Sequence, residues 1–159
     1  MIKELEVQEM KQQKIEEVRT IAEGYFQRGE FFCSEAVVKT INDLIGKPFS
    51  DDVTKLASGF PIGIGKSGCL CGAVSGGVMA LGMSYGRCHG ESMQDEMFTH
   101  SADLHDHIKG MYKSTCCRVM VKDFPVFQSP ERKAHCIKIT GEVAAFITEK
   151  LIDNNKIEL

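Results

Sequence analysis

Cysteine is the residue type through which this chain can do chemistry. Seven occur in 159 residues, an odd number and too sparse for a small disulfide scaffold. Cys33 directly precedes a segment that Ser34 can cap as a helix. Cys71 opens a helix of small residues, Cys71-Gly72-Ala73-Val74-Ser75-Gly76, and Cys117 lies in the first turn of a short segment after Ser114-Thr115, beside Arg118. A helix N-terminus offers free N–H groups and partial positive charge, both of which favour a thiolate. Cys136 sits about two turns into the last helix, after His135. Thiolate is the form that attacks disulfides and the form that ligates iron or zinc. Cys69, Cys88 and Cys116 read as ordinary small apolar residues, although Cys116 is the alternative to Cys117 in register.

Two other constellations are discounted. Gly63-Ile64-Gly65-Lys66-Ser67-Gly68 matches G-x-G-x-x-G, and Gly65-Lys66-Ser67 looks like the end of a P-loop. Both nucleotide motifs require a preceding strand in a parallel sheet, and no strand pattern precedes this one. His100, Asp103 and His107 share a helix face at a spacing that a metal can use. They equally form a polar flank beside Leu104 and Met111, which is the reading adopted.

The elements that must position the cysteines read as helices almost throughout. Ile15, Val18, Ala22, Tyr25 and Phe26 make one apolar face, whereas residues 2–14 before them are more polar and suggest a projecting arm or a partner-binding helix. A second helix follows Ser34, a short one spans Asp51 to Ala57, and a glycine-rich loop, 58–68, leads into the small-residue helix at about Cys71 to Tyr85. Further helices fit Ser92 to Tyr112 and Cys116 to Lys122. Ser129-Pro130-Glu131 is a strong start for a last helix reaching about Asp153: a cap, a proline at the first position, then an acid. The expected fold is a single all-α domain of about six helices, with residues 1–28 as the N-terminal helix or arm and 29–159 as the cysteine-bearing body. Its central helix is rich in glycine and alanine, with Gly72, Gly76 and Ala80 facing close neighbours.

Composition narrows the function. Hydrophobic residues are 43% and charged residues 26%, with net charge −3; this is a globular composition without a basic footprint for nucleic acid. The uncharged run from Ser67 to Gly86 is long enough on paper to span a bilayer, but six glycines and three serines make it only weakly apolar. No secretory signal is readable at the N-terminus, where five basic residues face seven glutamates. A reducing, cytoplasmic setting is therefore expected, in which unpaired cysteines more often serve metals or redox chemistry.

Taken together, Cys33-Ser34-Glu35-Ala36-Val37, Cys71-Gly72-Ala73-Val74-Ser75-Gly76, Cys117-Arg118 and His135-Cys136 resemble a prokaryotic family of redox-active proteins. That family is defined by one cysteine, a C-G-A-x-x-G motif and two later cysteines, and the resemblance covers about Gly29 to Ile147. It implies redox function, with a related domain in a multihaem cytochrome carrying an iron–sulfur centre. Haem itself is not implied, because no C-x-x-C-H occurs.

The leading expectation is an electron-transfer protein whose Cys33, Cys71, Cys117 and Cys136 converge to ligate an iron–sulfur cluster, serving a redox partner protein whose identity the sequence does not give. A metal-free thiol–disulfide protein is the alternative, with these same thiols redox-active, one of lowered pKa attacking and another resolving. A structural or regulatory zinc site is the third reading, weakened by the lack of paired C-x-x-C. Oxidoreductase catalysis is left open, and the N-terminal helix suits association with a second copy.

Overall fold

The computed structural model describes residues 2–159, with side chains from Glu4 onward. Six α-helices run in order: α1 (Ile2–Gln27), α2 (Cys33–Leu44), α3 (Gly72–Tyr85), α4 (Asp95–Tyr112), α5 (Cys117–Met120) and α6 (Pro130–Asp153), with a 3₁₀ segment at Asp51–Ala57 between α2 and α3. No strand occurs among the described residues. The all-α expectation holds. No helix among them is long and apolar enough to cross a membrane; the small-residue helix α3 is only 14 residues long.

Helix α3 is central because nearly every one of its faces is buried. Gly72 to Gly77, Ala80, Leu81 and Tyr85 are all enclosed, against α2, α4 and α6. Small side chains are what permit this. At Gly76 a Cβ would fall 2.5 Å from the Ser34 carbonyl oxygen and 2.7 Å from its Cα, so α2 lies directly on the α3 backbone. The remaining core comes from Ile41 of α2, Leu104 and Ile108 of α4, and Val143, Ile147 and Leu151 of α6, all fully buried. Each such side chain contributes about 1.5–3 kcal/mol of transfer free energy.

Helix α1 is continuous through the boundary between its polar and apolar halves. Ile15, Val18 and Ala22 are buried, while Leu5, Val7 and Met10 are exposed. The polar half is nevertheless tied to α6, since Lys11 pairs with Glu149 and Asp153 at its far end. A second tie joins three helices: the Glu142 carboxylate of α6 accepts from Arg19 of α1 and from His107 of α4, the latter at 2.7 Å. Burial alone would raise the Glu142 pKa, but the Arg19 and His107 hydrogen bonds outweigh it and hold the carboxyl below its ordinary value.

These contacts separate the histidines and acid of α4. His107 is engaged with Glu142, and Asp103 accepts from Lys150 at 2.7 Å. His100 is buried against the Tyr85 ring at 4.6 Å between centroids, both its ring nitrogens lacking a partner among the described residues. The three side chains serve three different contacts.

Several helix starts differ from the sequence reading. Cys33 is the first residue of α2 rather than the residue before it, and Phe32 occupies the cap position, its N–H donating to the Glu35 carboxylate at 2.9 Å. The Ser34 hydroxyl does not cap; it donates to the Ala57 carbonyl at 2.8 Å inside the core and ties α2 to the 3₁₀ segment. Helix α4 begins at Asp95, not Ser92. The last helix starts as expected, with Ser129 Oγ accepting from the Arg132 N–H at 3.2 Å and Pro130 at the first position.

The loop before α3 has an uncommon backbone. Ile62, Gly63, Ile64, Gly65 and Lys66 all have φ between 56° and 70°. Only glycine enters this region freely, and other residues are disfavoured there by roughly 1–2 kcal/mol each. At Gly63 a side chain is also sterically impossible, because a Cβ would fall 2.0 Å from the Cys69 carbonyl oxygen. Ile64 is half-exposed, so its side chain gives little in return for its strain. Ile64→Asn is therefore expected to raise stability by about 0.5–1 kcal/mol, read as an upward shift in the urea midpoint. A loss of stability would show that Ile64 packing outweighs the strain.

Candidate functional site

Four segments meet at the N-terminal end of α3. Cys33 arrives on the first turn of α2, and its sulfur fills the space left by Gly72, where a Cβ would stand 2.6 Å from Sγ. Cys71 caps α3, and its N–H donates to the Thr115 carbonyl at 2.7 Å. Three residues on, the Arg118 N–H donates to Gly68 O at 3.0 Å, so residues 68–71 run alongside residues 115–118. The Arg118 guanidinium reinforces this by donating to Ser67 O at 2.9 Å and Gly68 O at 3.3 Å. Those bonds bring Cys117 to the side of Cys71.

Cys136 enters from α6, whose neighbouring His135 fixes the approach. The carbonyl of Met120 can only accept, so His135 carries its proton on Nε2 and donates across 3.0 Å. Its ring lies 4.9 Å from Phe124 and 5.5 Å from Tyr112. α5 and α6 are thereby locked together beside the thiols.

Electrostatics link all four sulfurs. Each of the six pairs among Cys33, Cys71, Cys117 and Cys136 interacts, every thiolate disfavouring the others. Burial is the larger influence throughout. It pushes the Cys71 thiol up to about 12 and the Cys136 thiol to about 11, lifts Cys33 well above its ordinary value, and raises Cys117. Helix-end N–H groups pull the other way, Ser34 on Cys33 and Val74 and Ala73 on Cys71, but burial exceeds them. The Arg132 cation lowers Cys117 and Cys136, again by less than burial raises them. The pull of the helix termini is therefore present but smaller than the effect of burial, and all four thiols are shifted up rather than down.

A pH dependence of stability follows. Thiols of the unfolded chain ionise near 8.5, while in the fold Cys136 and Cys71 keep their protons to about 11 and about 12. Between those limits the folded chain binds more protons, so this contribution is complete below pH ~8.5 and is lost as pH rises toward 11–12. The metal-free protein should lose several degrees of Tm between pH 8 and 10.5, and Cys71→Ala should flatten that slope. Equal slopes in the two proteins would contradict the assignment.

Of the other three cysteines, Cys116 also acts on this group, disfavouring the Cys117 thiolate. Cys69 and Cys88 are exposed, and no cysteine is bridged. The Cys116 thiol donates to Gly68 O at 3.3 Å and is occupied in holding the loop. Among the described residues, no three or more His, Cys, Asp or Glu side chains are arranged to hold a metal ion. Sequence reading missed Arg132, although it lies four residues before Cys136 and thus one turn away on the same helix face. The anchoring of the loop by Arg118 left no local signal.

The family model described as "Putative redox-active protein (C_GCAxxG_C_C)" matches residues 31–150 of this chain. The chain belongs to that family. The matched span contains all four thiols and leaves the whole of α1 outside. The family's pattern places glycine before the cysteine of its central motif, whereas here Cys71 precedes Gly72. No curated protein and no solved structure matches the chain significantly.

Proposed function

We propose that the protein transfers electrons through an iron–sulfur cluster ligated by Cys33, Cys71, Cys117 and Cys136. The observation that carries this is the approach of four thiols from four different segments, Cys71 buried and the other three half-buried, each disfavouring ionisation of the others. Four thiolates gathered in a poorly solvated place repel one another, so ionising them together requires compensating positive charge. The donor set fits iron–sulfur ligation, which takes four cysteine sulfurs. Zinc also takes four thiolates, but the paired C-x-x-C spacing of structural zinc sites is missing from this chain. A bound cluster would supply reversible one-electron chemistry.

The chain's own residues would set the conditions for it. Cys71 is buried, whereas Cys33, Cys117 and Cys136 are half-buried. Raised thiol pKa values mean that ligation releases protons, so affinity should increase with pH. Arg132 offsets part of the negative charge on the Cys117 and Cys136 side.

A second reading rests on the unbridged state of the same thiols: a metal-free dithiol protein. Iron and acid-labile sulfide, measured on protein made and kept without oxygen, separate the two. Brown protein with matching iron and sulfide supports ligation. Colourless protein that loses two titratable thiols on oxidation supports the dithiol alternative.

A further inference from the structure

Beside Cys117 a cavity of about 700 Å³ opens to solvent. Its wall carries four cations, Lys66, Arg118, Lys122 and Arg132, and no carboxylate. None of the four forms an ion pair among the described residues: Arg118 donates to main-chain carbonyls, and Arg132 lies over the Phe127 ring at 5.1 Å. Such a concentration is unexpected in a chain of net charge −3, where most other cations pair with acids. Ile62, Pro125 and Phe127 add apolar wall, and Cys117 alone of the four thiols lines the cavity. Its volume lies in the range of small-molecule sites.

We infer that this cavity binds a small organic polyanion, with two or more carboxylate or phosphate groups, against the sulfur of Cys117. Unpaired cations at a concave wall focus the field and raise the local concentration of anions. The strained loop 62–66 places Lys66 at one side, and the start of α6 places Arg132 at the other. The apolar wall gives an organic body a surface that inorganic anions would not use. That the bound molecule meets a redox centre rests on the function proposed above; the binding itself does not.

Alkylation of the reduced, chelator-treated full chain tests the inference with two reagents of similar size, anionic iodoacetate and neutral iodoacetamide. Lys66→Asn with Lys122→Gln removes two charges, asparagine being tolerated at the positive φ of residue 66. The iodoacetate-to-iodoacetamide rate ratio at Cys117 should fall about threefold in this variant, while the ratio at Cys88 stays unchanged. Citrate and fructose 1,6-bisphosphate, as organic carboxylate and phosphate probes, should slow Cys117 labelling in the wild type and give calorimetric binding that the variant weakens; whichever acts more strongly identifies the group recognised. Unchanged ratios together with no calorimetric binding of either probe would overturn the inference. Protection by poly-glutamate alone would also overturn it, in favour of an acidic protein. Anion selectivity retained by a chain that never binds iron would contradict the cluster and leave the cavity assignment standing.

Discussion

Gly76→Ala is expected to destabilise the fold by about 2 kcal/mol, and Gly76→Leu by several more, although alanine ordinarily strengthens a helix interior by about 1 kcal/mol over glycine. The reversal comes from what the new Cβ meets. It would lie 2.5, 2.7 and 3.0 Å from the oxygen, Cα and carbonyl carbon of Ser34, which are main-chain atoms on the first turn of α2. A side chain could rotate away; a backbone anchored by the Ser34–Ala57 hydrogen bond must move bodily. Overpacking of this kind costs about 1–3 kcal/mol and occasionally more. Cys33 adjoins Ser34, so the same displacement would shift a thiol of the site. At Gly77 the added atom meets side-chain atoms of Leu104, Val143 and Ile147 and no backbone atom among its three nearest, and Gly77→Ala should cost less. Urea melts of the three variants check the order, and an unchanged Tm for Gly76→Leu would refute the close packing of α2 on α3.

Serine at any one of Cys33, Cys71, Cys117 or Cys136 should abolish stoichiometric iron binding, whereas serine at Cys69 or Cys88 should leave it intact. Changes to residues that merely support a metal ligand weaken affinity by ~10–100-fold, so removing a ligand should exceed that. Cys116→Ser discriminates most sharply. Its sulfur disfavours the Cys117 thiolate but is itself engaged by the Gly68 carbonyl, so iron should remain, with some loss of loop stability. Far-UV circular dichroism on each variant separates loss of the site from loss of the fold. Iron lost from Cys116→Ser and kept by Cys117→Ser would place the ligand one residue earlier. Retention in any two of the four substitutions would break the four-ligand scheme.

Local chemistry made much of this architecture legible. Ser129-Pro130-Glu131 marks the start of α6 because cap, proline and acid act within one turn, and the recurrence of Gly72, Gly76 and Ala80 marks a helix that others approach closely. Ser34 misled because its hydroxyl had two partners available, the nearby N–H groups and a carbonyl 23 positions away, and only the tertiary fold selects the second. Positions at helix ends correctly suggested an electrostatic pull on Cys33 and Cys71; burial, which exceeds that pull, is a property of the assembled molecule. The positive φ values of Ile62 and Ile64 were invisible for the opposite reason, since β-branched residues argue locally against such a conformation. Net charge likewise concealed the basic cavity, which exists only because the loop, α5 and α6 bring Lys66, Arg118, Lys122 and Arg132 to one place.

The claim that four thiols act as one centre is tested most directly by labelling all seven cysteines of anaerobically purified protein, before and after an iron chelator, with peptide-level readout. The account predicts that Cys69 and Cys88 label at the same rate in both states. Cys33, Cys71, Cys117 and Cys136 should be blocked together before chelation and all gain reactivity as iron leaves, the buried Cys71 most slowly. Identical labelling of those four before and after chelation, or release of only two of them, would contradict it.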